Sequence, residues 1–170
     1  KPYLFLLSLN KTPGAPWSLG TNYFKFEITT NDTLSATQSP GVINLEAVTG
    51  ADGKVDQMYM GDLHGNLWKL DFNAAAAAGA DLKDVTFAKL IVNNASKPLF
   101  VATDAAGNHQ PIVLTPKVIY GPNNGKLIIF GTGKYMEDSD NLLTPVRTQS
   151  MYVINDYDAT PKYIASRAFL

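Results

Sequence analysis

The chain has no cysteine among its 170 residues. Disulfide frameworks, cysteine zinc sites and thiol catalysis are therefore excluded. Charge of one sign is equally scarce, with 14 Lys plus Arg against 15 Asp plus Glu and a net charge of −1. That balance excludes a nucleic-acid binder working through bulk positive charge and a polybasic membrane-surface protein. The two histidines, His64 and His109, sit in turn-like sequence, and neither has a partner histidine at metal-ligand spacing. No apolar run approaches the roughly 20 residues that cross a bilayer. The chain opens on Lys1-Pro2-Tyr3 with no signal-like segment, so an internal piece of a longer exported chain is the expectation.

What is present is a series of short apolar segments rich in β-branched and aromatic residues. Tyr3 to Leu9 is bounded by Pro2 and Asn10, and Tyr23 to Thr29 alternates as a half-buried strand does. Val55 to Met60 and Leu67 to Phe72 flank the turn-like Gly61 to Asn66, which reads as a hairpin. Ile112 to Leu114, Lys117 to Tyr120, Lys126 to Phe130 and Met151 to Ile154 read as further strands, with Asn124-Gly125 suited to a hairpin turn. Ala74 to Ala78 is too short for an independent helix and reads as a loop insertion. Apolar-small-turn units recur loosely, as in propeller blades. At about 45 residues per blade, the chain holds three to four. The expected fold is therefore all-β, a partial β-propeller with loop insertions, in blade-like units of approximately 1–50, 51–110 and 111–170.

Few motifs carry chemistry. Asp52-Gly53-Lys54-Val55-Asp56 resembles a calcium loop in its alternate carboxylates and its glycine. Asp52 and Asp56 would supply carboxylates and Lys54 its backbone carbonyl, while Gly50 and Val48 upstream offer only backbone. The other reading is an Asp-Gly turn before a strand. Gly131-Thr132-Gly133-Lys134-Tyr135 fails as a P-loop, because Ile128 and Tyr135 stand where Gly and Ser/Thr are needed. It fails as a dinucleotide fingerprint at Met136. No nucleophile elbow is present. Asn10, Asn31 and Asn94 begin sequon tripeptides that read as surface loops, and Trp17 and Trp68 are either stacking platforms or blade packing, the latter favoured for Trp68.

The stretch Tyr59-Met60-Gly61-Asp62-Leu63-His64-Gly65-Asn66-Leu67-Trp68-Lys69-Leu70-Asp71 resembles a signature of the C-terminal propeller of the PilC/PilY family of type IV pilus tip-associated proteins. Further stretches fit in order: Ser39-Pro40 with the Asp52 to Asp56 loop, Gln110-Pro111-Ile112 through Pro116, Phe130 to Tyr135 followed by Asp140, and Gln149-Ser150-Met151-Tyr152. Together they span nearly the whole chain. The resemblance implies part of a quinoprotein-like, seven-bladed propeller without quinone chemistry, exported to the cell surface at the pilus tip or outer membrane. It implies roles in pilus assembly and retraction control, adhesion and twitching motility. The partners implied are the remaining blades of a parent protein, minor pilins and a host-cell receptor. The family's calcium loop carries acids or Asn where this chain has Val48 and Gly50, so two side-chain ligands are missing. Weak calcium binding is expected, or none with the loop held by its own turn hydrogen bonds.

The expectation is a non-enzyme whose recognition surface lies in loops such as Asn73 to Asp84 and Asn93 to Asn108. The alternatives are a quinoprotein-like propeller enzyme and a purely structural scaffold. Arg147, the one arginine before the C-terminal tail, makes a poor start for a quinone site.

Overall fold

In a computed structural model, the described residues are 1–28, 32–36, 38, 40–73, 90–91, 97–121, 125–141 and 147–157. They form three antiparallel sheets, a short α-helix, α1 (Asp32–Ser35), and a 3-10 turn over Asp138–Asn141. The first sheet pairs β1 (Tyr3–Leu7) with β2 (Tyr23–Glu27). The second runs β3 (Val42–Thr49), β4 (Val55–Asp62), β5 (Asn66–Asp71) and β6 (Phe100–Val101), in that order. The third runs β7 (Lys117–Tyr120), β8 (Lys126–Gly131) and β9 (Met151–Asp156).

The β4–β5 hairpin places the core. Its register pairs Met60 with Trp68 and Met58 with Leu70, and successive side chains leave on opposite faces. Met60, Trp68 and Leu70 pack against Leu4 and Phe26 of the first sheet and Ile28 just beyond it. Tyr59 and Leu67 leave on the other face, where they meet Phe100, Ile112, Ile128, Phe130, Tyr152 and Ile154. The β4–β5 hairpin is thus buried on both faces, each fully buried large side chain contributing about 1.5–3 kcal/mol, while β3 at the edge of the sheet is largely exposed. Tyr152 stacks on Phe130 at 5.4 Å and tilts against Phe100 at 4.9 Å. Face-to-face stacking of small antiparallel sheets is the packing a propeller uses.

Most expected strands form, but two positions differ from the sequence reading. The Ile112 to Leu114 segment is not a strand: Ile112 makes a single bridge, to Gly133. Pro111 and Pro116 flank it and have no N–H to extend a ladder. Conversely, β3 is a full strand that the sequence pattern does not announce. Its pairing with β4 shifts register twice, between Val42 and Leu45 and between Val48 and Thr49, which blurs its alternation. Val48 therefore lies in a strand, and position 50 lies within the β3–β4 hairpin. Tyr120 pairs with Lys126, so β7 and β8 do form a hairpin, while Asn124 lies outside the described residues. Ala74 to Ala78, Asn31 and Asn94 lie outside them as well.

Candidate functional site

Three tight hairpin turns share one backbone design. In each, the fourth residue's N–H donates to the first residue's carbonyl at 3.1 Å: Gly53 to Gly50, Gly65 to Asp62 and Gly107 to Asp104. In each, that fourth residue is a glycine at positive φ, +77°, +79° and +86° respectively. This is the three-residue hairpin loop, a type I turn closed by a left-handed residue. Gly65 is doubly required, because a Cβ there would stand 2.6 Å from the Gln110 carbonyl oxygen.

The turns at 62–66 and 104–108 also share the pattern Asp-x-x-Gly-Asn, a repeat the sequence reading missed. In the first, the Asp62 carboxylate accepts the backbone N–H groups of His64 (2.9 Å) and Asn66 (2.8 Å) and the Asn66 amide (2.8 Å). In the second, Asp104 accepts the N–H groups of Ala106 (2.8 Å) and Asn108 (2.9 Å) and the Asn108 amide (2.9 Å). The electrostatics diverge with depth. Burial pushes the Asp62 carboxyl above the usual range, and the Asn66 and Trp68 donors pull it back. Asp104 lies near solvent, and its bonds from Asn108 hold it below that range.

The Asp62 turn is the hub of a junction between the second and third sheets. Trp68 Nε1 adds a fourth donor to Asp62 at 2.9 Å, and Ile112 N–H donates to the Asp62 carbonyl at 2.9 Å. Gly61 lies so close to Ile112 that an added Cβ would overlap its side chain and stand 2.8 Å from its carbonyl oxygen. The Gln110 amide donates to the Thr148 carbonyl (2.8 Å) and Ser150 Oγ (3.0 Å), and its oxygen accepts the Tyr152 hydroxyl at 2.8 Å. Gly133 N–H donates to the Pro111 carbonyl at 2.7 Å, and the Thr132 and Ser150 backbones are bonded to each other. The stretches around Gly61, Gln110, Gly131 and Ser150, dispersed along the chain, thus meet at one place, and their polar groups are spent on one another.

His64 is wholly buried within this junction. Its Nε2 donates to the Gln38 carbonyl at 3.0 Å, which leaves Nδ1 as an acceptor with no partner among the described residues. His109 donates from Nδ1 to the His64 carbonyl at 2.7 Å. Both histidines therefore hold backbone. A second polar link crosses the sheets: Lys69 of β5 meets Asp156 of β9 at 2.7 Å, and the Tyr59 hydroxyl donates to the same carboxylate at 2.5 Å.

The expected calcium loop is the hairpin turn between β3 and β4. Gly50 N–H donates to the Lys54 carbonyl at 2.8 Å. Asp52 accepts the Lys54 N–H at 3.0 Å and pairs with the Lys54 ammonium at 2.7 Å. The Lys54 hydrogen bonds hold the Asp52 carboxyl below its usual range. The Asp56 carboxylate lies over Gly50, where a Cβ would stand 2.5 Å from its oxygen. Among the described residues, no three carboxylate or imidazole groups gather as a metal cluster.

The Lys134 turn is held locally. Lys134 reaches Asp140 at 2.9 Å and Glu137 at 3.1 Å, and Asp140 also accepts the N–H groups of Met136 and Glu137. Lys134 holds the Asp140 carboxyl down to about 2. Two open clefts of about 410 Å³ each lie at this end of the molecule, and Gln38 and Arg147 line both. Trp68 is core, as expected, whereas Trp17 is 51% exposed, edge-on to Tyr23 and with the Lys11 ammonium 4.9 Å from its ring.

Comparison with known proteins gives a consistent result. The family model of the PilY1 β-propeller domain matches residues 19–167. The type IV pilus biogenesis factor PilY1 of Pseudomonas aeruginosa PAO1 is 35% identical over 117 residues, covering 65% of this chain and 10% of its own length. The PilY1 homologue of Xylella fastidiosa Temecula1 is 37% identical over 131 residues, covering 76% of this chain and 8% of its own. The crystal structure of the Pseudomonas aeruginosa PilY1 C-terminal domain superposes with a TM-score of 0.62 at 28% identity, covering 82% of this chain and 29% of that one. The chain thus spans about a tenth of the curated relatives it matches.

Proposed function

Because the chain belongs to the PilY1 β-propeller family, we propose that it serves as part of the propeller wall of a type IV pilus biogenesis factor. Its contribution is to pilus assembly and retraction control, with surface adhesion and twitching motility as the cellular outcome. The observation that supports this most is the junction around Asp62. The family-like stretches converge there and use their polar groups to lock one sheet to the next, which is the work of a rigid scaffold. The relatives bear the name of pilus biogenesis factors, and this supports reading the chain as a non-enzyme. The sheets are taken as successive blades, in the approximate units 1–50, 51–110 and 111–170. The boundary near 50 runs through the β3–β4 hairpin, so β3 belongs with the second unit.

The partners proposed are the remaining blades of a parent protein, minor pilins at the pilus tip and a host-cell receptor, with the working place at the bacterial surface. No helix among the described residues is long and apolar enough to cross a membrane. The outer face of β1 carries Tyr3, Phe5 and Leu7, each 40–57% exposed, with Lys25 over the Tyr3 ring. An apolar sheet face of this kind suits a neighbouring blade. In-frame removal of this segment from the parent gene tests the function. Loss of surface pili and twitching, with pilin still made, is expected; normal piliation overturns the reading.

A further inference from the structure

The family resemblance places a calcium ion in the β3–β4 turn, and the residues present do not fit it. A calcium site takes 6–8 oxygens. Here Val48, within β3, has an apolar side chain with no oxygen to offer, and Gly50 has no side chain at all. We infer that this hairpin has exchanged a metal for closure by its own chain, with the Lys54 ammonium as the resident cation beside Asp52.

Three observations carry the inference. The backbone bonds that close the turn, Gly53 to Gly50 and Gly50 to Lys54, are already made. The same turn design closes the 62–66 and 104–108 hairpins through the same backbone hydrogen bond, each with its glycine at positive φ. In those two turns an aspartate at the first position accepts the N–H groups two and four residues on. In the 50–54 turn the first position is glycine, and Asp52 takes the Lys54 N–H instead. Asp52 is thus a turn-stabilising residue whose oxygens are occupied by Lys54.

Gly50 belongs to the same exchange. The Asp56 carboxylate occupies the space that a Cβ at position 50 would need, 2.5 Å from its oxygen. A ligand side chain at 50 and the present placement of Asp56 exclude each other. The turn is therefore constitutively closed, and its geometry does not depend on calcium concentration.

The test is hydrogen exchange on the full chain in EDTA and in millimolar CaCl2, following the Gly50, Gly53 and Lys54 amides. Equal protection in both buffers is expected. Exchange more than about threefold faster in EDTA overturns the inference. Calorimetric titration with CaCl2 gives a second reading, in which no saturable heat is expected and micromolar binding overturns it. Lys54→Met tests the ammonium separately. Loss of protection at the turn amides, the same in EDTA and in CaCl2, is expected; a turn as protected as the wild type overturns the role given to Lys54.

Discussion

The indole N–H of Trp68 donates to the Asp62 carboxylate at 2.9 Å, tying the start of β5 to the end of β4 across their hairpin. Asp62 is 2% exposed and Trp68 3% exposed, so neither group has water as an alternative partner. A carboxylate with four donors has no proton to offer and no lone pair to spare for a ligand. The Gly-Asp and Gly-Asn-Leu-Trp portions of the signature are therefore parts of one buried structural unit.

Asp62→Asn keeps the shape and removes the charge. The new amide group would face the Asn66 amide and the Trp68 indole, donor against donor. Leaving buried donors unsatisfied costs about 1–3 kcal/mol each. A loss of roughly 2–5 kcal/mol is expected, read as a lower denaturation midpoint with unchanged m-value. A midpoint shift equivalent to less than about 1 kcal/mol contradicts the role given to Asp62.

Gly61→Ala and Gly50→Ala separate two kinds of close approach. At 61 the added methyl meets the Ile112 side chain and backbone, neither of which can turn away. Overpacking of that kind costs about 1–3 kcal/mol or more. At 50 it meets the carboxylate end of Asp56, which can rotate. Thermal unfolding of both variants is expected to rank Gly61→Ala as the more destabilised.

Lys69 and Asp156 are 17% and 7% exposed and join β5 to β9 at 2.7 Å. Removing one partner of a buried pair strands the other charge, at about 3–5 kcal/mol. Lys69→Met alone is expected to destabilise strongly, while Lys69→Met with Asp156→Leu costs less than the sum of the singles. Additive losses in the double-mutant cycle would mean the two charges do not interact.

The Asp140 carboxyl, held at about 2 by Lys134, titrates below an ordinary aspartate. Its folded-state value is depressed, so its stabilising contribution is present above the unfolded value near 4 and is lost as pH falls toward 2. Carbon-detected titration is expected to give the depressed midpoint in the wild type. Lys134→Met is expected to return it toward 4, and an unchanged midpoint contradicts the pairing.

Much of this was legible in the residues themselves. Alternation in Tyr23 to Glu27 and the turn between Met60 and Leu67 specify their strands, because side-chain period and positive-φ glycines act over a few residues. The absence of cysteine, the balanced charge and the weakened calcium pattern at Val48 and Gly50 are likewise properties of the chain alone. Other features were decided by tertiary structure. β3 forms despite blurred alternation because β4 offers it a ladder, and Ile112 fails to extend because its neighbours are proline. That Asp62 is buried and Asp104 near solvent, in turns of the same sequence pattern, is decided by the packing around each turn and not by the pattern. A local pattern sets the hydrogen bonds of such a turn; only the packing around it sets whether its charge is shielded from water, and with it what the turn can do.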